Sequence, residues 1–261
     1  MTIKRPLSRR SALAGALLVA APAVRAQLAI PVLPPPEAVS MIMPGNIKFR
    51  GKLYKPIKTP APAIIIVHDG WGMTPDFEAM GAALAFEGIL GLVVDLAGGK
   101  TASDAAQAER IAQEIEPEKP GEIVAVWYDW IRNRLECNGR IGAFGFGPGG
   151  RWAVNGSLRK AAHGVATWCV RIDNPPADLA SIYETFIGHF SDRGTVPGQV
   201  QVADISQRVK QANREGHFFR YSSGPQFYNP RSPDYDKPDA SLAWRRTISI
   251  YRKIWQLPNA T

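Results

Sequence analysis

Residues 142–150 read GAFGFGPGG, and the reading of this turn decides the fold. RIGAF (140–144) is a short apolar run suited to an interior parallel strand, and RWAVNGSLRKAA (151–162) can follow as a helix. Gly145, Gly147 and Gly150 satisfy G-x-G-x-x-G, the loop that cradles a dinucleotide's phosphates. Gly145, Gly149 and Gly150 equally fit a nucleophile turn, G-x-nucleophile-x-G-G, with Gly147 standing where a serine or cysteine would be. The turn alone leaves both readings open.

The order of elements around it separates them. IKFRGKLYKP (47–56) alternates weakly, as an early strand does. APAIIIVHDG (61–70) and ILGLVVDL (89–96) are continuous β-branched runs, the mark of strands buried on both faces. PDFEAMGAALAFEG (75–88), ASDAAQAERIAQEIE (102–116) and GEIVAVWYDWIRNRLE (121–136) read as helices, the last with apolar residues three and four apart. Beyond the turn come HGVATWC (163–169), ETFIGHFS (184–191), the helix GQVQVADISQRVKQAN (198–213), HFFRYSS (217–223) and a last helix from about 240 to 255. Such alternation predicts an α/β fold with a mainly parallel, twisted sheet and helices on both faces. A dinucleotide fold carries its glycine fingerprint on its first strand–helix turn, with an acid about 20 residues on. Here three or four strands precede the turn, and Asp173 lies beyond TWCVRI. Dinucleotide binding is a minor alternative.

The first 26 residues read as an export signal: a basic KRPLSRR, a short apolar SALAGALLVAAPAV and a cleavage site after Ala26. Arg9 and Arg10, after Ser8 and before Leu13, resemble a twin-arginine signal, which places the mature protein in the periplasm. This segment holds Lys4, Arg5, Arg9, Arg10 and Arg25 and no acid, so the formal charge falls from +8 for the whole chain to +3 without it. No clustered basic footprint for nucleic acid remains, and no later apolar stretch reaches the ~18 residues of a membrane span. Residues 27–44 read as an extended lead-in and 45–261 as a single domain. Cys137 and Cys169 fall at opposite edges of the expected sheet, so two thiols rather than a bridge are expected, with no metal centre and no cofactor.

Taken together, IIIVHDGWG (64–72), VVDL (93–96), WYDWIRN with RIGAFGFGPGG, GHFSDRGTVP (188–197) and NPRSPDYD with AWRRTISIYRK resemble the dienelactone hydrolase family of the α/β-hydrolase fold. The resemblance implies a cysteine nucleophile, a histidine base and an aspartate that orients the base. Asp192 falls on the acid position. Gly147 falls on the nucleophile and has no side chain to attack a carbonyl. Pro148 follows, where this fold uses a backbone N–H for the oxyanion, and proline has none. EGHFF (215–219) mimics the histidine box, which would make His217 the base. The three residues REG leave no room for a strand before it, so HFFRYSS is taken as the last strand and Pro225 as the base position. His68, His163 and His189 read as structural, and Cys169 as a buried inert thiol. The arginines that hold a carboxylate in the family align with Gly99 and Asn229, with Lys100 one place late. His68, Asp69, Trp71, Pro148, Cys169 and Trp168 are expected around an aromatic-lined cleft.

The expectation is an exported, catalytically degenerate family member that binds a small ligand or a partner protein. The competing class is an active carboxylic-ester or lactone hydrolase using an unmatched nucleophile.

Overall fold

Every residue from Ala61 to Val67 is buried, which a strand allows only when both of its faces are covered. The covering is visible in the alternation. Ile64 and Ile66 join one hydrophobic cluster, while Ile65 and Val67 join another across the sheet. The computed structural model describes residues 32–43, 47–115, 119–195 and 198–257. The expected export segment at 1–26 lies outside the described residues. Leu33–Thr261 forms one unit.

Its elements are β1 (Glu37–Met43), β2 (Ile47–Tyr54), β3 (Ala61–Val67), α1 (Pro75–Phe86), β4 (Leu90–Asp95), α2 (Ala105–Glu114), α3 (Lys119–Arg132), β5 (Cys137–Phe146), α4 (Pro148–Lys160), β6 (Gly164–Trp168), α5 (Pro176–Leu179), β7 (Thr185–Ser191), α6 (Gly198–Gln211), β8 (Gly216–Tyr221) and α7 (Lys237–Trp255). The sheet order is β1-β2-β4-β3-β5-β6-β7-β8. β2 runs antiparallel to β1 and β4, and all other pairs are parallel. Residues of α3, α4 and α6 pack on one face, and residues of α1 and α7 on the other. After β3 the chain moves outward to β4, then returns past β3 to β5. Strand order therefore reverses between β3 and β5, and the crevice at their carboxyl ends is where such sheets place a site.

Two expectations need correction. Residues 37–43 are not part of an extended lead-in but form β1, paired with β2 from Glu37↔Leu53 to Met43↔Ile47. The prolines at 34–36 precede the strand without entering it, and Val39 turns into the core while Ser40 and Ile42 face out. The last helix begins at Lys237 rather than about 240. The Asp236 side chain accepts the Asp239 N–H, and Pro238 sits in the first turn, where its missing N–H costs nothing. Both cysteines are free. Among the described residues no helix is long and apolar enough to cross a membrane.

Candidate active site

The turn that opens α4 stands at the carboxyl end of β5, and its glycines are there for two different reasons. A Cβ on Gly145 would lie 2.5 Å from the Gly149 carbonyl oxygen, because helix and strand approach too closely for any side chain. Gly147 has an unusual backbone, φ 50° and ψ −127°. Holding another residue there costs ~1–3 kcal/mol. The Gly147 N–H donates to the Trp168 carbonyl (2.9 Å) and the Gly150 N–H to the Gly147 carbonyl (2.9 Å). Pro148 between them has no N–H to give.

The space above Gly147 is filled by another residue. A Cβ built there would meet the Tyr228 hydroxyl at 3.0 Å and the Asp69 Cβ at 3.6 Å. Asp69 comes from the loop after β3 and is only 2 % exposed. Its Oδ1 accepts the Trp71 N–H (2.9 Å), and its Oδ2 accepts both the Tyr228 hydroxyl and the Asn229 amide (3.1 Å each). Burial pushes the Asp69 carboxyl up from the usual carboxylate range, against these three hydrogen bonds. Burial first, and the Asp69 charge second, raise the Tyr228 phenol well above its ordinary value. The phenol is therefore a donor locked onto a carboxylate, not an incipient phenolate. Trp71 spends its indole N–H on the Gln226 side chain (3.2 Å).

All four histidines of the chain are committed elsewhere. His68 is fully buried. Its Nε2 accepts the Leu96 N–H (3.0 Å), which puts the proton on Nδ1 for the Asp69 carbonyl (2.6 Å). It steers the Asp69 loop from behind, and burial lowers its pKa. His163 Nδ1 accepts the Ile141 N–H (3.2 Å). His189 contacts the Tyr221 hydroxyl (2.8 Å) and the Thr247 hydroxyl (2.7 Å), and burial pulls its pKa down to about 3. His217 lies within β8, paired across from Ile187 and 3.0 Å from Glu215. Three residues of strand separate it from Tyr221, beside which Asp192 begins its turn, so it occupies the other edge of the sheet.

The remaining expected site residues are also dispersed. Asp192 follows β7 but forms a two-pronged ion pair with Arg220 (2.9 Å each), its side chain about a third exposed at 34 %. Pro225 is exposed at the start of the turn after β8, and Tyr228, three residues on, is the one that reaches Gly147. Cys169 sits just past β6 at φ 52°, and burial pushes its thiol up to about 12, far from a reactive thiolate. With Gly147 and Pro148 it lines a cleft of about 420 Å³. Asn229, at a position the family fills with arginine, is buried and serves Asp69. Gly99 has φ 86° and a Cβ there would meet nothing within 4 Å, and the Lys100 ammonium is paired with Glu114 (2.6 Å). A second cleft, about 490 Å³, opens on the other side of Tyr228 between α1 and α7. Among the described residues no cluster of three metal-ligating side chains occurs.

An eight-stranded, mostly parallel sheet with helices on both faces and a glycine turn after its central β5 defines an α/β-hydrolase fold. The chain belongs to the dienelactone hydrolase family, whose pattern matches residues 49–255. No curated protein matches it by sequence. Among solved structures it is similar to a dienelactone hydrolase-like promiscuous phosphotriesterase from metagenomic libraries (TM-score 0.72, 14% identity, covering 84% of this chain and 97% of that one). It is also similar to the dienelactone hydrolase of Anabaena variabilis (0.59, 16%, 84% and 98%) and to an esterase, Est2, of Thermogutta terrifontis (0.60, 14%, 87% and 95%). At these identities the likeness is one of fold.

Proposed function

We propose that this chain is an exported, catalytically degenerate member of its family that binds a small ligand. One observation carries the reading: Gly147 stands at the nucleophile position beneath the Tyr228 hydroxyl, while every histidine is bonded elsewhere. Loss of a nucleophile typically costs on the order of 10⁶ in turnover, and loss of one oxyanion donor ~10²–10³. Pro148 adds the second loss to the first. Asp69 is no substitute nucleophile, since three donors already occupy its oxygens. A cleft beside the elbow, about 490 Å³ and largely apolar, has the size of a small-molecule site.

The test is ester turnover. p-Nitrophenyl acetate should be hydrolysed no faster than in buffer. Turnover above buffer that is abolished by Asp192→Ala or Asp69→Asn would establish a working hydrolase instead. Export is tested separately: the mature chain should begin at Gln27, and replacing Arg9 and Arg10 with lysine should retain the precursor in the cytoplasm.

A further inference from the structure

The cleft of about 490 Å³ between α1 and α7 has a closed floor and open walls. Phe146, Trp168 and Tyr228 form the floor, packed ring against ring and no more than 4 % exposed, so they seal the cleft without offering it a ring face. The walls are partly exposed: Ala79, Met80 and Ala83 from α1, Ala240 and Trp244 from α7. Apart from Trp244 these are alkyl and thioether groups. Such groups attract any hydrocarbon without directional preference, through the apolar surface that filling the cleft removes from water.

The polar groups of the cleft are unbalanced. Its acid, Asp76, is ion-paired with Arg231 (2.8 Å). Three groups that can donate a hydrogen bond have no hydrogen-bond or ion-pair partner among the described residues: the exposed Arg245 guanidinium and the Ser241 and Tyr235 hydroxyls. Ser241 and Arg245 stand four residues apart on α7, so they lie one turn apart on the same face of the helix. A guanidinium offers a fork that fits a carboxylate. Apolar walls, a spare cation and no spare acid complement a molecule with one negative end and a hydrocarbon body.

We infer that this cleft binds an aliphatic carboxylate of medium chain length, its chain between α1 and α7 and its carboxylate at Ser241 and Arg245. The inference rests on the degenerate reading above, since the ligand is held and not turned over.

The probe is sodium octanoate, titrated into the mature protein by calorimetry. Saturable binding is expected, and each methylene removed on the way to butanoate should weaken it about two- to fourfold. Arg245→Ala should weaken octanoate about tenfold and leave the uncharged 1-octanol unaffected. Ala83→Phe, which narrows the cleft from the α1 side, should weaken both by about tenfold or more. Absence of saturable octanoate binding overturns the inference, as does equal affinity for butanoate or indifference to Arg245→Ala. Should Ala83→Phe fail to fold by circular dichroism, the exposed Arg245 variant still decides. Turnover of p-nitrophenyl octanoate, read in parallel, would overturn the degenerate reading while leaving a positive octanoate result intact. No octanoate binding together with no turnover would sink the ligand class alone.

Discussion

Tyr228 turns its two ends toward two different environments. Its hydroxyl faces the polar hollow over Gly147, where both Asp69 oxygens already have donors. Its ring lines the cleft between α1 and α7 and packs against the Phe146 and Phe227 rings. A hollow whose hydrogen bonds are internally complete offers a reacting carbonyl no donor and no nucleophile. The close glycine approach at the turn is needed for α4 to pack on β5, whereas no part of the packing needs a nucleophile at 147.

The largest disturbance of the polar side should come from Asp69→Ala. It strands the Tyr228 hydroxyl and the Asn229 amide in a buried site, at about 1–3 kcal/mol each. Urea unfolding should show a loss of several kcal/mol, and a loss under about 1 kcal/mol would mean that the hollow takes up water and is not internally complete.

Gly147→Cys is next. The new Cβ meets the Tyr228 hydroxyl and enters a backbone conformation that glycine tolerates, so a loss of ~1–3 kcal/mol is expected. No useful esterase activity should appear, since no histidine adjoins it and Pro148 still lacks its N–H. Adding Pro148→Leu and Pro225→His should be needed before turnover is seen, and efficient hydrolysis by Gly147→Cys alone would show the hollow already competent.

The buried His189, stacked between Trp168 and Phe219, predicts a pH effect. His189 has a folded pKa of about 3, below its ordinary 6.5, so the unfolded chain binds the extra proton between these values. Stability from this group is present above pH 6.5 and is lost as pH falls toward 3, by at most about 1.4 kcal/mol per pH unit. Tyr221, Arg246, Thr247 and Trp168 surround it, and Arg246 adds to burial in opposing protonation. Replacing it, as in His189→Gln, should flatten the slope of stability between pH 6.5 and 4. The smallest effect belongs to Asp192→Ala. It breaks only the solvent-screened pair with Arg220, so the melting temperature should barely move and ligand binding should not change.

Much of the fold was legible because its signals are local. β3, β4 and the inner part of β5 are continuous apolar runs, and α3 repeats its apolar residues at helical spacing. β1 escaped notice because it follows directly on three prolines, and only its antiparallel partner makes it a strand. At the site, the glycine spacing marked the turn and the REG spacer placed His217 in β8. Tyr228 was passed over although it stands three residues beyond Pro225, because a tyrosine in a turn carries no signal of what its hydroxyl meets.

The apolar runs and the glycine turn were therefore readable from the chain, since each depends on neighbours within a few residues. The Asp69–Tyr228 and Asp69–Asn229 bonds join residues 159 and 160 positions apart, and the Asp192–Arg220 pair depends on how β7 and β8 align. The stack of Phe146, Trp168, His189 and Phe219 rings likewise exists only once four strands share one register. Hydrogen bonds and stacked rings are directional and act across a few ångströms of space, so their partners are chosen by the packed sheet and not by proximity along the chain.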